Sequence, residues 1–318
     1  MTQRYRLLTW HSAPESFRLS SEVDESWQCT YADLGALGAM ARQVVCVGDP
    51  GQIDPVVTGD VSRWDGSDTA PNLPGPIALQ AAHGDAVGVV RLRHTWRLGP
   101  GTTALIGPLF YPDLPFTSRR PPEHLTDADG VVLPELAHRP VTVCGGPSDP
   151  VLVTACAQRA RELLDTVLVT AQDQRPMTAA DIAVVVPHVS QAAAIRALLS
   201  DHPDVLVGTA NSLQGLERAA VVMLHPLAGY RTAETVSLDP GRACVMLSRH
   251  RAHMSVVIDD ASAAVLASTE PSTAARHHYR PVGRAAPHSH CVATHHNQRG
   301  FRKCGPTDSF VGDFYRRG

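Results

Sequence analysis

Short apolar runs rich in β-branched residues recur along this chain, separated by stretches with helical spacing. Gln43–Val47 closes at Gly48-Asp49-Pro50-Gly51 and Asp181–Val186 closes at Pro187, while Val205–Val207, Ala219–Leu224 and Met254–Ile258 follow. Between them Cys156–Leu168 and Gln191–Leu199 carry helical periodicity, with Ile195, Leu198 and Leu199 on one stripe. Strands that alternate with helices form parallel sheets through crossover connections. Runs that are apolar on both faces are what a sheet covered by helices on both sides requires. The expected fold class is therefore α/β, with parallel sheets flanked by helices. Residues 58–90, rich in Gly, Pro and Asp, read as a long connection, and Pro115–Pro122 as a second break.

With 318 residues, the chain has room for two domains at about 150 residues each. Its charge is uneven. Residues 271–318 hold 8 Arg and Lys against 2 Asp and Glu, and contain no Leu, Ile or Met. Such a segment cannot bury a core, and 265–318 is expected to be a disordered basic, His-rich tail. Its His288, His290, Cys291, His295, His296 and Cys304 lack the paired spacing of a structural zinc site, so solvated tail is the better account. The first 270 residues hold 20 basic against 29 acidic side chains. That balance argues against a bulk basic clamp, and any nucleic-acid contact would be a local stripe. Seven cysteines without C-x-x-C pairing fit free thiols in a reducing cytoplasm. Residues 1–20 have no long apolar stretch and no 18-residue apolar run occurs, so neither a signal peptide nor a membrane span is expected.

Five segments carry the chemistry. Val23-Asp24-Glu25-Ser26-Trp27-Gln28 puts two adjacent acids where a strand would end. Phosphoryl transfer from ATP needs one carboxylate for the magnesium (Mg2+) shell and another to orient the attacking water. Asp24 suits the first role and Glu25 the second, although adjacent acids alone are most often a solvated turn. Gly48-Asp49-Pro50-Gly51-Gln52-Ile53-Asp54-Pro55 follows a buried strand, and Gln52 on such a loop can read a γ-phosphate by hydrogen bond. Leu92-Arg93-His94-Thr95-Trp96-Arg97-Leu98-Gly99-Pro100 comes next. Then come Val207–Arg218, containing Ser212-Leu213-Gln214-Gly215-Leu216-Glu217, and Ala243–Arg251. Arg97 and Arg249 are candidate arginine fingers, planar permanent cations that can stabilise charge on a transferring phosphoryl group. Trp27 and Trp96 are expected to pack inward, and Cys29, Cys46 and Cys244 to be small buried apolar residues.

Taken in order, these segments resemble the later motifs of superfamily 1 helicases, in the branch of RNA-surveillance and replication helicases that usually move 5′ to 3′. Gly48–Pro55 is similar to the family's G-D-x-x-Q-[LI]-x-P loop, Trp96–Pro100 to its Y-R-x-x-P element, and Ser212–Glu217 to its S-x-Q-G-x-E. Val184–Gln191 resembles the strand-Pro-Tyr/His-x-x-Gln element that opens a helix in the second motor domain, and Val245–Arg251 resembles V-A-L-[ST]-R-x-R. The resemblance, over roughly residues 22–260, implies two RecA-like domains with ATP and Mg2+ at their interface and single-stranded DNA or RNA crossing both. It implies a partial first domain over 1–92 and a nearly complete second over 93–264. By position it implies that Asp24 holds the metal, Glu25 activates water, Gln52 senses the γ-phosphate, and Arg97 and Arg249 contact it. Gln214, Gly215 and Glu217 would lie by the nucleotide, and His188, Thr209 and Ser212 by the strand backbone.

The sequence departs from that pattern at its centre. Its single lysine is Lys303, beside Cys304, and no G-x-x-x-x-G-K-[ST] loop occurs. The approach to Asp24 alternates Phe17, Leu19, Ser21 and Val23 with Arg18, Ser20 and Glu22, a charged face that is costly unless exposed. The expectation is a truncated or split motor, weakly active or inactive alone, with a separate subunit supplying the phosphate-loop half. The alternative is a non-catalytic module that binds nucleic acid or a partner.

Overall fold

The computed structural model describes residues 20–38, 41, 43–232 and 239–267. In chain order come β1 (Ser20–Val23), α1 (Tyr31–Gly38), β2 (Gln43–Cys46), α2 (Gly75–His83), β3 (His94–Thr95) and α3 (Pro100–Phe110). Next are β4 (Thr117–Ser118), β5 (Glu123–Thr126), β6 (Leu136–Val141), α4 (Pro150–Leu164), β7 (Val167–Thr170) and β8 (Gln174–Pro176). The remaining elements are β9 (Ile182–Val186), α5 (Val189–Leu198), β10 (Leu206–Thr209), α6 (Ala210–Leu213), β11 (Arg218–Leu224), α7 (Pro240–Leu247), β12 (His250–Asp259) and α8 (Ser262–Ala267).

Five strands form one parallel sheet in the order β10-β9-β11-β12-β6, with β11 at its centre. The period-2 alternation of each strand divides it between two cores. Ile182, Val184 and Val186 of β9, with Ala220, Val222 and Leu224 of β11, face a cluster completed by Leu152, Cys156 and Leu163 of α4 and Ile195 of α5. Ala183, Val185, Val221 and Met223 face the opposite way, onto Ile106 and Phe110 of α3, Leu213 of α6 and Val245 of α7. Both faces are covered by helices, so the α/β reading holds and near-continuous burial of β9 and β11 follows from it. Helix starts are set by capping. Asp149 accepts the Val151 N–H ahead of α4 and Asp239 accepts the Arg242 N–H ahead of α7, each with proline at the first helical position.

Several expectations change. Cys156–Leu168 is not one helix: α4 stops at Leu164, and Val167–Thr170 pairs antiparallel with β5 and β8 in a separate three-stranded sheet. A short apolar run cannot distinguish a helix end from a strand, and β-branched Val167, Val169 and Thr170 favour the extended state here. The supposed connection 58–90 contains α2. Leu198 and Trp96 are exposed, so neither packs as expected. Cys29 and Cys244 are buried as expected, whereas Cys46 and Trp27 are half-buried. Of the alternating stretch before Asp24, Ser20–Val23 pairs only with β2 among the described residues; Val23 is buried and Glu22 exposed, which removes the cost of its charge. Phe17, Arg18 and Leu19 lie outside the described residues. α8 runs to Ala267, slightly into the segment expected to be tail, and 268–318, with its histidines and cysteines, lies outside the described residues.

The amino-terminal elements have a small core of their own, Val23, Cys29 and Leu34, against which Leu37, Val44 and Leu79 pack. They meet the large sheet at two places. Ile53 inserts into the cluster of α3 and α7. Gly241, in the first turn of α7, lies so close to the chain that an added Cβ would sit 2.6 Å from the Gln52 carbonyl oxygen. Gly241→Ala is therefore expected to destabilise by about 1–3 kcal/mol despite its gain in helix propensity. Gly59→Ala, whose Cβ meets nothing within 4 Å, is the control. Urea unfolding of both variants checks this; a neutral Gly241→Ala would mean the contact is not tight.

Candidate functional site

β1 ends in a turn that gives the two acids different surroundings. The Asp24 carboxylate accepts the Glu25 N–H at 2.9 Å and is otherwise exposed. Glu25 takes φ 51° and ψ 35°, and among the described residues it alone of the non-glycines has positive φ. Residues held in that left-handed region carry strain that the surrounding structure has to fix. Ser26 does so: its N–H and its hydroxyl each reach the Val47 carbonyl at 2.9 Å, tying the turn to the end of β2.

The loop after β2 is organised by one carboxylate. Asp49 accepts the Gly51 N–H at 2.9 Å, the Gln52 side-chain amide at 2.7 Å, and the Tyr111 hydroxyl at 2.8 and 3.0 Å. Gln52 then accepts the side-chain N–H of Gln214 at 3.2 Å, and Gln214 also lies 3.4 Å from the Glu25 carboxylate. Gln214 follows α6, where Gly215 turns the chain towards β11 at φ +76°, a conformation that glycine adopts without strain. Three sequence-predicted residues 27 to 189 positions apart thus join in one hydrogen-bonded group.

Two arginines complete the cleft. Arg249 is 2% exposed, its guanidinium bonded to the Val245 carbonyl at 3.0 Å and the Ser248 hydroxyl at 2.9 Å. Burial, then repulsion from Arg97, lowers its pKa to about 10, with Asp49 and Glu25 acting the other way. Arg97 is partly exposed, with its Nε 4.0 Å from Glu217 and making no hydrogen bond. Glu217 also lies 3.6 Å from Arg251, which pairs with Glu123 at 3.2 Å. Partial burial raises the Glu25 pKa above that of an ordinary glutamate; Asp24 and Asp49 add to the rise, and Arg249 and Arg97 oppose it. Leu206, Leu213, Leu216, Glu217, Arg218 and Arg249 line a small hollow beside this group. Arg97 and Arg249 thus repel one another across this side of the cleft, Arg249 desolvated and Arg97 partly exposed with Glu217 4.0 Å away.

The other predicted residues lie elsewhere. His188 caps α5 and its Nε2 is 2.6 Å from the Tyr230 hydroxyl. Thr209 and Ser212 bond to each other across the short helix α6. They sit at the carboxyl ends of β9 and β10, whereas Glu217 and Arg249 precede β11 and β12 at the amino ends. The segment Thr209–Arg218 runs back between these two ends, so Ser212 lies only two residues before Gln214 while His188 and Thr209 stay at the carboxyl ends of their strands. A second hollow, lined by Pro187, His188, Asn211, Asp239 and Arg242 among others, opens at the carboxyl side. Sequence reasoning gave no role to Asp49, although it lies inside the quoted loop. It also missed Tyr111, which carries no local signal.

No family model matches the sequence, and no curated protein matches it. Among solved structures, the chain is similar to the PRRSV helicase (19% identity, TM-score 0.39, 76% of this chain and 34% of that one). It is similar also to arterivirus nonstructural protein 10, a helicase (16% identity, TM-score 0.38, 77% of this chain and 40% of that one). A third is the C-terminal domain of a possible DNA helicase from Lactobacillus plantarum WCFS1 (13% identity, TM-score 0.32, 52% of this chain and 88% of that one). The chain spans 34% and 40% of the two viral helicases' length. At these scores the architecture rests on the strand order and register described above.

A carboxyl group whose folded-state pKa is raised is destabilising in its charged form at pH values above that pKa. Glu25→Gln removes the charge and keeps an acceptor for Gln214. The expected outcome is an equal or higher melting temperature for Glu25→Gln at pH 8. The difference should close as pH falls through the glutamate range, measured by paired thermal melts. A variant that melts lower at pH 8 and recovers in acid would have the sign reversed.

Proposed function

We propose that this chain belongs to a helicase-type motor, one that hydrolyses ATP and couples the reaction to movement along single-stranded DNA or RNA. The observation that carries the reading is the convergence of Glu25, Gln52 and Gln214 in one hydrogen-bonded group facing Arg97 and Arg249. The donor set fits a triphosphate terminus, because Arg97 is partly exposed with the Glu217 carboxylate 4.0 Å away and Arg249 bonds only to neutral groups. It fits a magnesium ion of the kind that keeps its waters and takes one or two carboxylates, here Asp24. Among the described residues no group of three or more His, Cys, Asp or Glu forms an all-protein metal cage.

When bound, ATP and Mg2+ would supply the phosphoryl group and the charge that screens it. The residues do the rest. Glu25, with its raised pKa, accepts a proton from water more readily than an ordinary glutamate would. Gln52 keeps one side-chain N–H for the γ-phosphate while Asp49 holds the other. Arg97 and Arg249 neutralise charge that develops on the transferring group. His188, Thr209 and Ser212 are assigned to the strand backbone. The phosphate loop, which supplies most of the binding free energy for a triphosphate, is assigned to a part of the motor outside these 318 residues, which contain no such loop.

The expected outcome is therefore weak nucleotide binding and little or no turnover by the chain alone. Competition against a fluorescent ATP analogue measures the first, with Arg97→Ala weakening affinity about tenfold, the scale of one lost charged hydrogen bond. Unchanged affinity in both Arg97→Ala and Arg249→Lys would remove the nucleotide from this cleft. Phosphate release with single-stranded nucleic acid at saturating ATP measures the second. Turnover that Glu25→Gln abolishes would show the chain to be self-sufficient. The missing lysine loop favours a second reading, a non-catalytic nucleic-acid- or partner-binding module. Filter binding of a single strand that is indifferent to ATP supports that one.

A further inference from the structure

A line of hydrogen bonds crosses the joint between the small amino-terminal unit and the large sheet. It starts at Cys244 on α7, whose Sγ is 3.3 Å from the Tyr111 hydroxyl, and passes from Tyr111 to Asp49. It continues through Gln52 and Gln214 to Glu25. Only the last part of this line was assigned above to nucleotide chemistry. Cys244 and Tyr111 have no place in it.

The donors order themselves from the chemistry of the groups. An ionised carboxylate only accepts, so the Tyr111 O–H must point at Asp49, and the Cys244 S–H is then the donor to Tyr111. Burial and the neighbouring Cys244 and Asp49 keep the phenol protonated, and burial pushes the Cys244 thiol up to about 12. Tyr111 itself is well fixed. It is 8% exposed, follows α3 directly, and stacks edge-on against Phe116 at 5.2 Å and 89°. Gly51 lies against its ring, where an added Cβ would come within 2.5 Å of the ring carbon next to the hydroxyl.

We infer that Tyr111 is a positioning residue that fixes the orientation of the Gln52 amide through Asp49. The physical need is plain. A glutamine amide turned by half a rotation exchanges its N–H groups for its oxygen, and an oxygen facing a phosphate repels it. Asp49 prevents that turn only while its own carboxylate is held, and Tyr111 reaches both of its oxygens. The role, as distinct from the tether, rests on Gln52 being the γ-phosphate sensor.

The test separates tether from role. In a 15N spectrum of the full chain, the Gln52 side-chain amide pair is assigned by its loss in Gln52→Leu. Tyr111→Phe keeps the ring and should shift and broaden that pair, while the pair of Gln191, held by the Pro147 carbonyl, stays in place. A Gln52 pair that does not move in folded Tyr111→Phe overturns the inference. Should that variant not fold, Asp49→Ala probes the same link, because it removes both oxygens that accept from Gln52 and Tyr111; an unmoved pair there is equally fatal. Competition with ADP and with a β,γ-imido triphosphate then reads the role. Tyr111→Phe should leave ADP affinity alone and reduce the preference for the triphosphate about fivefold, one neutral hydrogen bond in scale. An unchanged preference overturns the positioning role. A native chain with no such preference overturns the sensor reading instead, and the spectrum alone then decides the tether.

Discussion

Asp49 gathers a backbone N–H, a glutamine amide and a phenol on one carboxylate, and these three donors belong to two different parts of the molecule. A carboxylate taken partly out of water is tolerable only when its lone pairs are filled, and charged hydrogen bonds of this kind are the stronger ones. The small unit that contributes Asp49 has few other means of holding its shape. Its sheet is a single parallel pair, and its core is Val23, Cys29 and Leu34 with a few half-buried neighbours. Two strands with so little apolar cover are not independently stable. Docking therefore supplies what the unit lacks, through Asp49 to Tyr111, Ile53 into the α3 and α7 cluster, and the tight passage beneath Gly241. The geometry of the cleft follows from that docking, because Glu25 and Gln52 are on one side and Gln214, Arg97 and Arg249 on the other.

The electrostatics of the cleft depend on the same arrangement. Arg249 is buried against the end of its own helix and bonds to neutral oxygens, so its charge is projected rather than cancelled. Arg97 stands near enough to repel it. Glu25 and Asp49 oppose that repulsion from across the joint, at longer range than a direct pair. Separated opposite charges of this kind leave a field in the space between them, whereas contact pairs would have quenched it. Arg251 with Glu123 and Glu217, and Arg97 with Glu217 at 4.0 Å, do lie in contact, and these pairs hold the loop before β11.

The main sheet was legible because β9 and β11 are unbroken apolar runs, which only a doubly covered parallel strand tolerates. Val167-Leu168-Val169 was not, since it continues the apolar character of α4 and its β-branched residues alone do not mark where the period changes. Its antiparallel partner Glu123-His124-Leu125-Thr126 offers one fully buried side chain, Leu125, too little to read as a strand. At the site, Glu25, Gln52 and Gln214 were legible because each lies in a spaced motif, and the fold brings them within hydrogen-bond reach. Tyr111 was illegible for the opposite reason. Its partner Asp49 is 62 positions away and the Phe110-Tyr111-Pro112 step looks like any helix end. Trp96 shows the limit of arguing from side-chain type: an indole beside a functional arginine was expected to pack, yet it is 70% exposed.

The segment from Thr209 to Arg218 bears most directly on how such a cleft could drive movement. It leaves the carboxyl end of β10, makes one short helix, turns at Gly215 and enters β11 at the amino end of the same sheet. Thr209 and Ser212 are at its start, and Gln214 and Glu217 are at its finish. Leu213, between them, is buried in the α3 and α7 core, so the segment cannot slide freely; it can shift only with that core. In a motor of the proposed kind, the residues assigned to the strand and those assigned to the nucleotide are thus joined by fewer than ten residues of chain. A change in the hydrogen bonds of Gln214 to Gln52 and Glu25 has a covalent route to Thr209 and Ser212. Coupling through one short, anchored segment needs no long-range network, only that the anchor have two packings.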